Sequence, residues 1–290
     1  MASWINTTTP APPAARLPRT STAAGILRPD ELPDYATLSR PAASAHLDRW
    51  VEWYWSVEWD LPPGTTYLSQ VIPHPTLHLT VESGGGSRHG FRMPAALLHG
   101  IVTSRFEVEL SGSGSVFGAK FRPGGFGAFT GLDVATTLGK VVQLRELFGG
   151  GADALRDDAL RSRPDARPAL FDRFLLERRP RPDPRYDQLL EVVADMLADR
   201  TLTTVEDVTQ RHGIPLRSLQ RLFRRYVGVG PKWALQRYRL HDTVTLIDAG
   251  EVEDLAELAA SLGWYDQAHF TREFTALVGR SPARYAARAP

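Results

Sequence analysis

Residues 216–227 have the sequence LRSLQRLFRRYV, and this stretch decides the fold of the C-terminal third of the chain. In a helix of about 3.6 residues per turn its large apolar side chains share one face, which predicts a buried stripe. That stripe consists of Leu219, Leu222, Phe223 and Tyr226. The opposite face carries Arg217, Arg221 and Arg224, flanked by Gln220 and Arg225. Guanidinium groups suit phosphates and guanine edges, and glutamine suits adenine, so this face predicts DNA contact better than a merely solvated surface.

Two segments of this region repeat one design, in which a helix, a glycine-containing turn and a second helix follow one another. In the first segment, Thr203 and Glu206 form a capping-box pattern that opens a helix, and the second helix begins near Pro215. In the second segment, a helix over residues 252–262 precedes another that begins near Asp266. This is the helix-turn-helix pattern, whose second helix enters the major groove of DNA.

The formal net charge of the chain is only +1, but the charges are unevenly placed. Residues 208–241 hold eight basic side chains and no Asp or Glu. Residues 251–277 hold six acidic side chains against Arg272 alone. The first helix-turn-helix unit is therefore predicted to carry the stronger DNA-binding surface, and the second unit a weaker one.

The N-terminal half has the alternation that is typical of β-strands. From Val51 to Trp59 every second side chain is Val or Trp, which predicts a strand with one apolar face. Further strands are predicted over residues 67–72, 77–81, 106–110 and 116–121. Several short strands at this spacing predict a small sandwich or barrel, and the pattern turns helical after Gly125.

Proline-rich stretches delimit the domains. Residues 1–40 combine many prolines with little periodic apolar content, which predicts a disordered tail. Residues 179–184 contain Pro180, Pro182 and Pro184, which predict a stiff Pro/Arg linker. The domains are thus predicted over residues 41–178 and 185–290.

Composition excludes several classes of protein. Cysteine is absent, which removes disulfides, thiolate zinc sites and thiol nucleophiles. No apolar run reaches the ~18–20 residues that span a bilayer, and no apolar signal core follows the N-terminus. We therefore expect a cytoplasmic protein without a membrane partner. No nucleophile motif, carboxylate pair or phosphate loop indicates an enzyme, and no cofactor is predicted.

The histidines of the N-terminal half could suggest a metal site. His74 and His78 would be its centre, with Glu82, His89 and His99 as further ligands. Flanking prolines exclude a helix there, and an i, i+4 pair in a strand lies ~13 Å apart. Two nitrogens bound to one zinc lie only ~3–3.5 Å apart. The sequence therefore predicts structural histidines and no metal, and an enzyme with a metal-binding domain and an accessory DNA-binding module is the alternative.

Two other features of this half have competing interpretations. The stripe of Trp53, Trp55 and Trp59 fits core packing better than the lining of an apolar pocket. Arg122 precedes a Pro-Gly-Gly turn, so it fits a turn residue better than an anion-binding group inside the barrel.

The C-terminal region resembles the AraC/XylS family of bacterial transcription regulators. The motifs that carry the resemblance are LQRLF at 219–223, GVGPK at 228–232, RL at 239–240, LGWYDQAHF at 262–270, REF at 272–274 and GRSPARY at 279–285. The resemblance implies seven helices, with the two units joined by a long helix over about residues 231–248. It also implies that the two recognition helices enter successive major-groove segments on one face of double-stranded DNA.

The same resemblance, together with the helical wheel, gives candidate site residues. The positions that match base-contacting sites are Arg217, Gln220 and Arg221 in the first unit and Gln267, Ala268, His269 and Arg272 in the second. The candidates for phosphate contact are Arg211, Arg224, Arg225, Lys232 and Arg237. Two departures weaken the match, because Pro215 stands where a Ser N-cap is common and Ala268 offers only a methyl group.

The motifs FRPGGF at 121–126 and VQLRELF at 142–148 are similar to an N-terminal domain found on some actinobacterial members. The resemblance to AraC-type regulators implies a second domain that senses a ligand, dimerises or does both, and the resemblance of these two motifs implies no known ligand. The expected fold class is α+β, with a barrel-like β-rich sensor or dimerisation domain that ends in helices and an all-α domain of two helix-turn-helix units joined by a long helix. The candidate partners besides DNA are a small-molecule effector, a second copy of the chain and, for an activator, RNA polymerase.

Overall fold

The computed structural model describes residues 17–22, 25–178, 180–252, 254–264 and 266–287. It has the predicted α+β architecture, with a β-rich region over residues 37–143 and a helical region after it. Residues 1–16 of the predicted tail and Arg179 of the predicted linker lie outside the described residues.

The described part of the N-terminal domain contains ten strands. They are β1 (Thr37–Ser39), β2 (Val51–Asp60), β3 (Thr66–Val71), β4 (His78–Gly84), β5 (Ser87–Arg88), β6 (Phe91–Arg92), β7 (Ala95–His99), β8 (Phe106–Ser111), β9 (Ser113–Phe121) and β10 (Val141–Gln143). A six-stranded antiparallel sheet has the order β1-β2-β9-β4-β7-β10, while β3 pairs with β8 and β5 with β6. The predicted barrel-like domain is thus a large sheet accompanied by two small ones.

The two faces of the large sheet have different surroundings. Tyr54 and Phe117 lie on one face and pack against Phe171 from a covering helix. The indoles of Trp53 and Trp55 lie on the other face, which looks toward the β3–β8 sheet. A register shift between Val51 and Trp53 interrupts the alternation at the start of β2, so that Val51 and Tyr54 are both buried in the main core.

The described part of this domain also has four short α-helices: α1 (Gly125–Thr130), α2 (Arg145–Phe148), α3 (Gly150–Arg161) and α4 (Arg167–Leu176). Helix α3 contributes Leu155 and Ala159, and α4 contributes Phe171, Phe174 and Leu175, to the core beneath the large sheet. The apolar periodicity of these segments agrees with that single buried side.

Among the residues that the structure describes, the C-terminal domain has seven helices: α5 (Pro184–Ala198), α6 (Val205–His212), α7 (Leu216–Tyr226), α8 (Pro231–Asp248), α9 (Leu255–Ser261), α10 (Gln267–Val278) and α11 (Pro282–Ala286). Helix α8 covers the range predicted for the long joining helix. The capping box of α6 is Thr204 with Asp207, one residue later than the predicted pair. Asp266 caps α10 by accepting a hydrogen bond from the backbone N–H of His269.

The predicted tail is not disordered over its described part. Leu27 and Leu32 are buried in two different hydrophobic clusters, and Leu32 begins a short 3-10 helix. Thr20 is also buried, and its carbonyl accepts a hydrogen bond from the hydroxyl of Tyr238. The prolines suppress helical or strand periodicity here, but isolated apolar side chains still anchor the segment across both domains.

The FRPGGF motif lies where the two domains meet. Gly124 has a φ of 78°, and a Cβ placed there would lie 2.5 Å from the side chain of Leu189 on α5. A Cβ on Gly127 would lie 3.1 Å from the backbone oxygen of Tyr226 on α7. These close approaches require glycine, and they let one hydrophobic core run from the large sheet into the first helix-turn-helix unit.

Candidate DNA-binding surface and ligand cavity

Helix α7 presents the amphipathic pattern that its sequence predicts. Leu219 and Phe223 are fully buried, while Arg217, Gln220 and Arg221 are exposed on the opposite side. Burying the apolar stripe fixes the rotation of the helix about its axis, so the three polar side chains share one outward face. The structure therefore brings together the base-contact candidates of the first unit.

Candidates from both units also line one cleft. Its volume is about 810 Å³, and its walls include Gln220, Arg224 and Lys232 from the first unit and His269 from the second. Trp264, which is buried between the units, forms part of the same wall. The two units are thus open on a common side of the domain.

The second unit has a less basic outer face. Gln267, Ala268 and Arg272 are exposed on α10. His269 is half-buried, and its Nε2 lies 2.9 Å from a carboxylate oxygen of Glu273. A carboxylate next to a base-contact candidate opposes the approach of DNA phosphates, which agrees with the weaker surface predicted for this unit.

The five phosphate-contact candidates have different environments. Arg224 and Lys232 are exposed. Arg211 forms a salt bridge of 2.7 Å with Asp199, and Arg225 donates to the carbonyl oxygens of Gly131 and Leu132.

Arg237 departs from the prediction, because it is 3% exposed and donates to the carbonyl oxygens of Pro73 and Thr103 in the N-terminal domain. Burial lowers its pKa to about 10, so it stays charged at neutral pH. Sequence periodicity on α8 could not reveal that this side faces another domain.

A cavity of about 220 Å³ lies between the large sheet and the β3–β8 sheet. Trp53, Trp55 and Trp59 line it, together with Val108 and Phe106 from the opposite sheet. Trp53 and Trp55 are therefore part of a cavity wall, contrary to the predicted core packing, whereas Trp59 lines the cavity and also packs in a hydrophobic cluster with Tyr67 and Leu110, as predicted. The two sheets stand far enough apart to leave space that no side chain fills.

Lys120 is the buried cation of this cavity. It is 5% exposed, its Nζ lies 4.4 Å from the centre of the Trp53 ring, and it lies 3.5 Å from His74 Nδ1. Burial lowers the pKa of Lys120 to about 7, although the carboxylate of Glu52 acts in the opposite direction. Among the described residues no carboxylate forms a salt bridge with Lys120, and no pattern in the sequence indicates that this lysine is buried.

A second polar group of the cavity surrounds Glu82. Its Oε1 lies 2.9 Å from His99 Nε2 and accepts a hydrogen bond of 2.9 Å from Thr80 Oγ1. Its Oε2 lies 3.3 Å from Arg88 Nε and 3.8 Å from His89 Nε2. Burial alone would raise the pKa of Glu82, but the hydrogen bond with His99 and the other neighbours lower it to about 2.

Arg122 is not an anion-binding group of the cavity. It is buried and donates to the backbone oxygens of Asp48 and Pro18, and its guanidinium also pairs with the carboxylates of Asp48 and Glu52. These hydrogen bonds and ion pairs occupy the N–H donors of Arg122 and hold the N-terminal segment against the sheet.

One wall of the cavity touches the long helix of the C-terminal domain. The ring of His74 stacks on the ring of His241 from α8, with centroids 3.9 Å apart and planes 16° apart. Burial lowers the pKa of both rings, so the stack is uncharged at neutral pH. Arg237, one helical turn earlier, bonds to the same N-terminal segment through the carbonyl of Pro73.

Two separate segments of the chain match known protein families. Residues 39–143 match a family described as "Domain of unknown function (DUF6597)", and residues 208–288 match a family described as "Helix-turn-helix domain". Curated proteins give no match. Within the described part of the chain, every helix is too short or too polar to span a bilayer.

The chain is also similar to solved structures of ToxT from Vibrio cholerae. One, at 1.65 Å resolution, is 11% identical, with 81% of this chain and 98% of that chain covered and a TM-score of 0.40. Another, bound to (E)-4-(8-methylnaphthalen-1-yl)but-3-enoic acid, is 11% identical, with 88% and 98% covered and a TM-score of 0.38.

The tandem helix-turn-helix units and the match over residues 208–288 define a DNA-binding transcription regulator. Residues 208–288 therefore hold a helix-turn-helix domain, as the C-terminal motifs predicted.

Proposed function

We propose that the first helix-turn-helix unit reads base edges through Arg217, Gln220 and Arg221, and that a small molecule in the N-terminal cavity controls DNA binding through α8. The second unit contributes Gln267, Ala268, His269 and Arg272 to the adjoining major-groove segment. Dimerisation and contact with RNA polymerase stay predictions.

The outward face of α7 carries the DNA-reading part of the proposal. Its three polar side chains are exposed, while the opposite stripe is anchored in the main core. A rigidly held helix limits the positions that each guanidinium can reach, which sequence-specific contacts require. Arg224 and Lys232 are exposed beside this face and are suited to phosphates, with Arg211 and Arg225 as further candidates.

Selection of bound sites from a random duplex pool tests this part. We expect Arg217→Ala to relax the preference at one base pair, with a loss of about 1–3 kcal/mol on the selected site. Arg163→Ala is the matched control, because Arg163 is an exposed arginine of the N-terminal domain that pairs with Asp165. Equal losses for Arg217→Ala on selected and random DNA would show that this side chain contacts only phosphate.

The cavity supports an effector with an aromatic or aliphatic body and one acidic group. Three indoles provide flat apolar walls, and Lys120 provides a buried cation without an acidic salt-bridge partner among the described residues. A carboxylate next to Lys120 would favour its charged form and add a charge-assisted hydrogen bond.

Ligand-induced melting shifts across paired acids and amides test the effector class. Because the pKa of Lys120 is about 7, the affinity for an acid should fall about tenfold per pH unit above that value. Lys120→Met should abolish both the preference for acids and its pH dependence. Lys140→Met is the control, because Lys140 is exposed in the same domain. Equal binding of acids and amides would reject the acidic class.

Contacts between the cavity wall and α8 support control of DNA binding. His74 lines the cavity and stacks on His241, while Arg237 bonds to the segment around Pro73. A ligand that moves His74 therefore also moves α8, which joins the two units. Arg237→Gln should reduce the effect of the ligand on operator affinity while it leaves ligand affinity within about twofold. An unchanged effect would place the coupling elsewhere.

A further inference from the structure

The geometry points to a transition-metal site of the zinc type formed by Glu82, His89 and His99 at one end of the N-terminal cavity. Each of the three residues offers one ligand atom, and these atoms all lie within 4.8 Å of one another. They come from β4, from the turn between β5 and β6 and from the end of β7. Pairing of the strands, and not sequence spacing, therefore creates the cluster.

The ligand set suits a metal that keeps one position open. Two imidazoles and one carboxylate are a common set of three protein ligands for zinc, with the fourth position left to water or substrate. All three residues line the cavity, so the open position would face its interior. Two nitrogens bound to one zinc lie about 3.3 Å apart. The widest distance between two ligand atoms of this cluster therefore has to shorten by about 1.5 Å when the metal binds.

Two further observations distinguish this cluster from ordinary buried histidines. Glu82 is oriented by a hydrogen bond from Thr80 and by Arg88, which is the kind of outer support that metal-binding carboxylates have. His89 has a φ of 53°, and among the described residues only Arg28 shares that left-handed conformation without being glycine. A histidine held there costs backbone strain, and such strain is concentrated at functional sites.

His74 and His78, which were the centre of the metal site considered from the sequence, are engaged elsewhere. His78 Nδ1 accepts a hydrogen bond of 3.1 Å from the indole of Trp55, and His74 stacks on His241. The sequence predicted structural histidines and no metal, and the proposed site departs from that prediction for His89 and His99. This site does not depend on the proposed effector, because the metal needs neither Lys120 nor α8.

Metal titration of the purified, chelator-treated full chain tests the inference. We expect one Zn²⁺ or Co²⁺ per chain, with Co²⁺ giving the visible absorption of a tetrahedral or five-coordinate site. His99→Gln should lower metal affinity by at least about 10- to 100-fold, as should Glu82→Gln. His89→Asn removes the ring with a residue that tolerates positive φ, and the same loss is expected.

His46→Gln is the matched control, because His46 is an exposed histidine of the same domain and its loss should leave the titration unchanged. Melting curves without metal show which variants fold, and zinc should raise the melting temperature of the wild-type chain but not of His99→Gln. Glu82→Gln, which keeps the shape of the side chain, gives a second readout if His99→Gln does not fold. A wild-type chain that binds no metal, or one whose binding survives all three substitutions, would overturn the proposal.

Discussion

The two helix-turn-helix units share one design but differ in charge and in the core that anchors them. The recognition helix of the first unit, α7, lies in a basic stretch and packs into the main core with the N-terminal domain. The recognition helix of the second unit, α10, lies in an acidic stretch and packs in a smaller cluster with α8. The unit predicted to bind DNA more strongly is thus also the one joined more closely to the N-terminal domain.

A regulated DNA-binding protein has two structural requirements, and the two units meet them differently. A reading helix needs free polar side chains, and control needs physical contact with the domain that senses. In α7 the requirements fall on different sides of one helix, since Arg221 is exposed while Phe223 is buried. In the second unit, Leu27 and Ile72 from the N-terminal part of the chain join the smaller hydrophobic cluster that holds Phe270.

The largest expected effect compares the two anchoring phenylalanines. Phe223 and Phe270 are both fully buried, and each Phe→Ala substitution should cost about 3–5 kcal/mol. Phe223→Ala should increase hydrogen exchange in α7, α5 and α1, because all three share the main core. Phe270→Ala should increase exchange chiefly over residues 255–286. If Phe270→Ala increased hydrogen exchange in α7, α5 and α1 as much as Phe223→Ala does, the two cores would not be separate.

The next effect compares one arginine from each recognition helix. Arg221→Ala should cost about 1–3 kcal/mol on the selected DNA site, because a guanidinium that reads a base loses both hydrogen bonds and specificity. Arg272→Ala should cost less than about 1 kcal/mol, because it lies one residue from Glu273 in an acid-rich unit. Fluorescence anisotropy with a labelled duplex measures both losses. Equal losses would mean that the two units read DNA with similar strength.

The salt dependence of binding tests which basic side chains of the first unit reach phosphates. Five phosphate contacts would give a slope of log K against log[salt] near −4.5, at about −0.9 for each. Because Arg237 is buried, four contacts and a slope near −3.6 are expected. Arg224→Ala and Lys232→Ala should each make the slope less steep by about 0.9, while Arg237→Gln should leave it unchanged. A change for Arg237→Gln would show that α8 leaves the N-terminal domain when DNA binds.

The amphipathic helices could be predicted from the sequence, whereas the N-terminal cavity and its buried polar groups could not. Helix α7 follows from its apolar stripe, and the range of α8 follows from the family resemblance. Strand β7 was missed because Ala95 and Ala96 have little preference for strands. Periodicity is a local property, so it finds elements whose amphipathic pattern is contained in one stretch of chain.

The cavity could not be predicted because it depends on the distance between two sheets. Trp53 and Trp55 have the same alternation whether a side chain or an empty space lies opposite them. Lys120 and His78 are directly paired across β9 and β4, which buries a side chain that is usually exposed. Glu82 and His99 lie on the neighbouring strands β4 and β7, where Glu82 is paired with Ala95 and His99 with His78, and their side chains meet along the sheet. Such sites appear only when the register of distant strands is known.

The smallest expected effect concerns the acidic residue beside the second reading face. Glu273→Gln removes a negative charge 2.9 Å from His269 Nε2, and we expect affinity for any DNA to rise by about 0.3–1 kcal/mol. Glu191→Gln is the matched control, because Glu191 is exposed on α5 and should not change the affinity. Anisotropy on selected and random duplexes at one fixed salt concentration measures the change.

The sign of that change decides how the second unit works. A rise on both duplexes means that Glu273 only repels phosphates, so α10 touches DNA lightly and the first unit carries the specificity. A fall confined to the selected duplex would mean that Glu273 holds the ring of His269 in a reading position. The carboxylate would then be a positioning residue, and the acidic character of the second unit would serve recognition instead of opposing it.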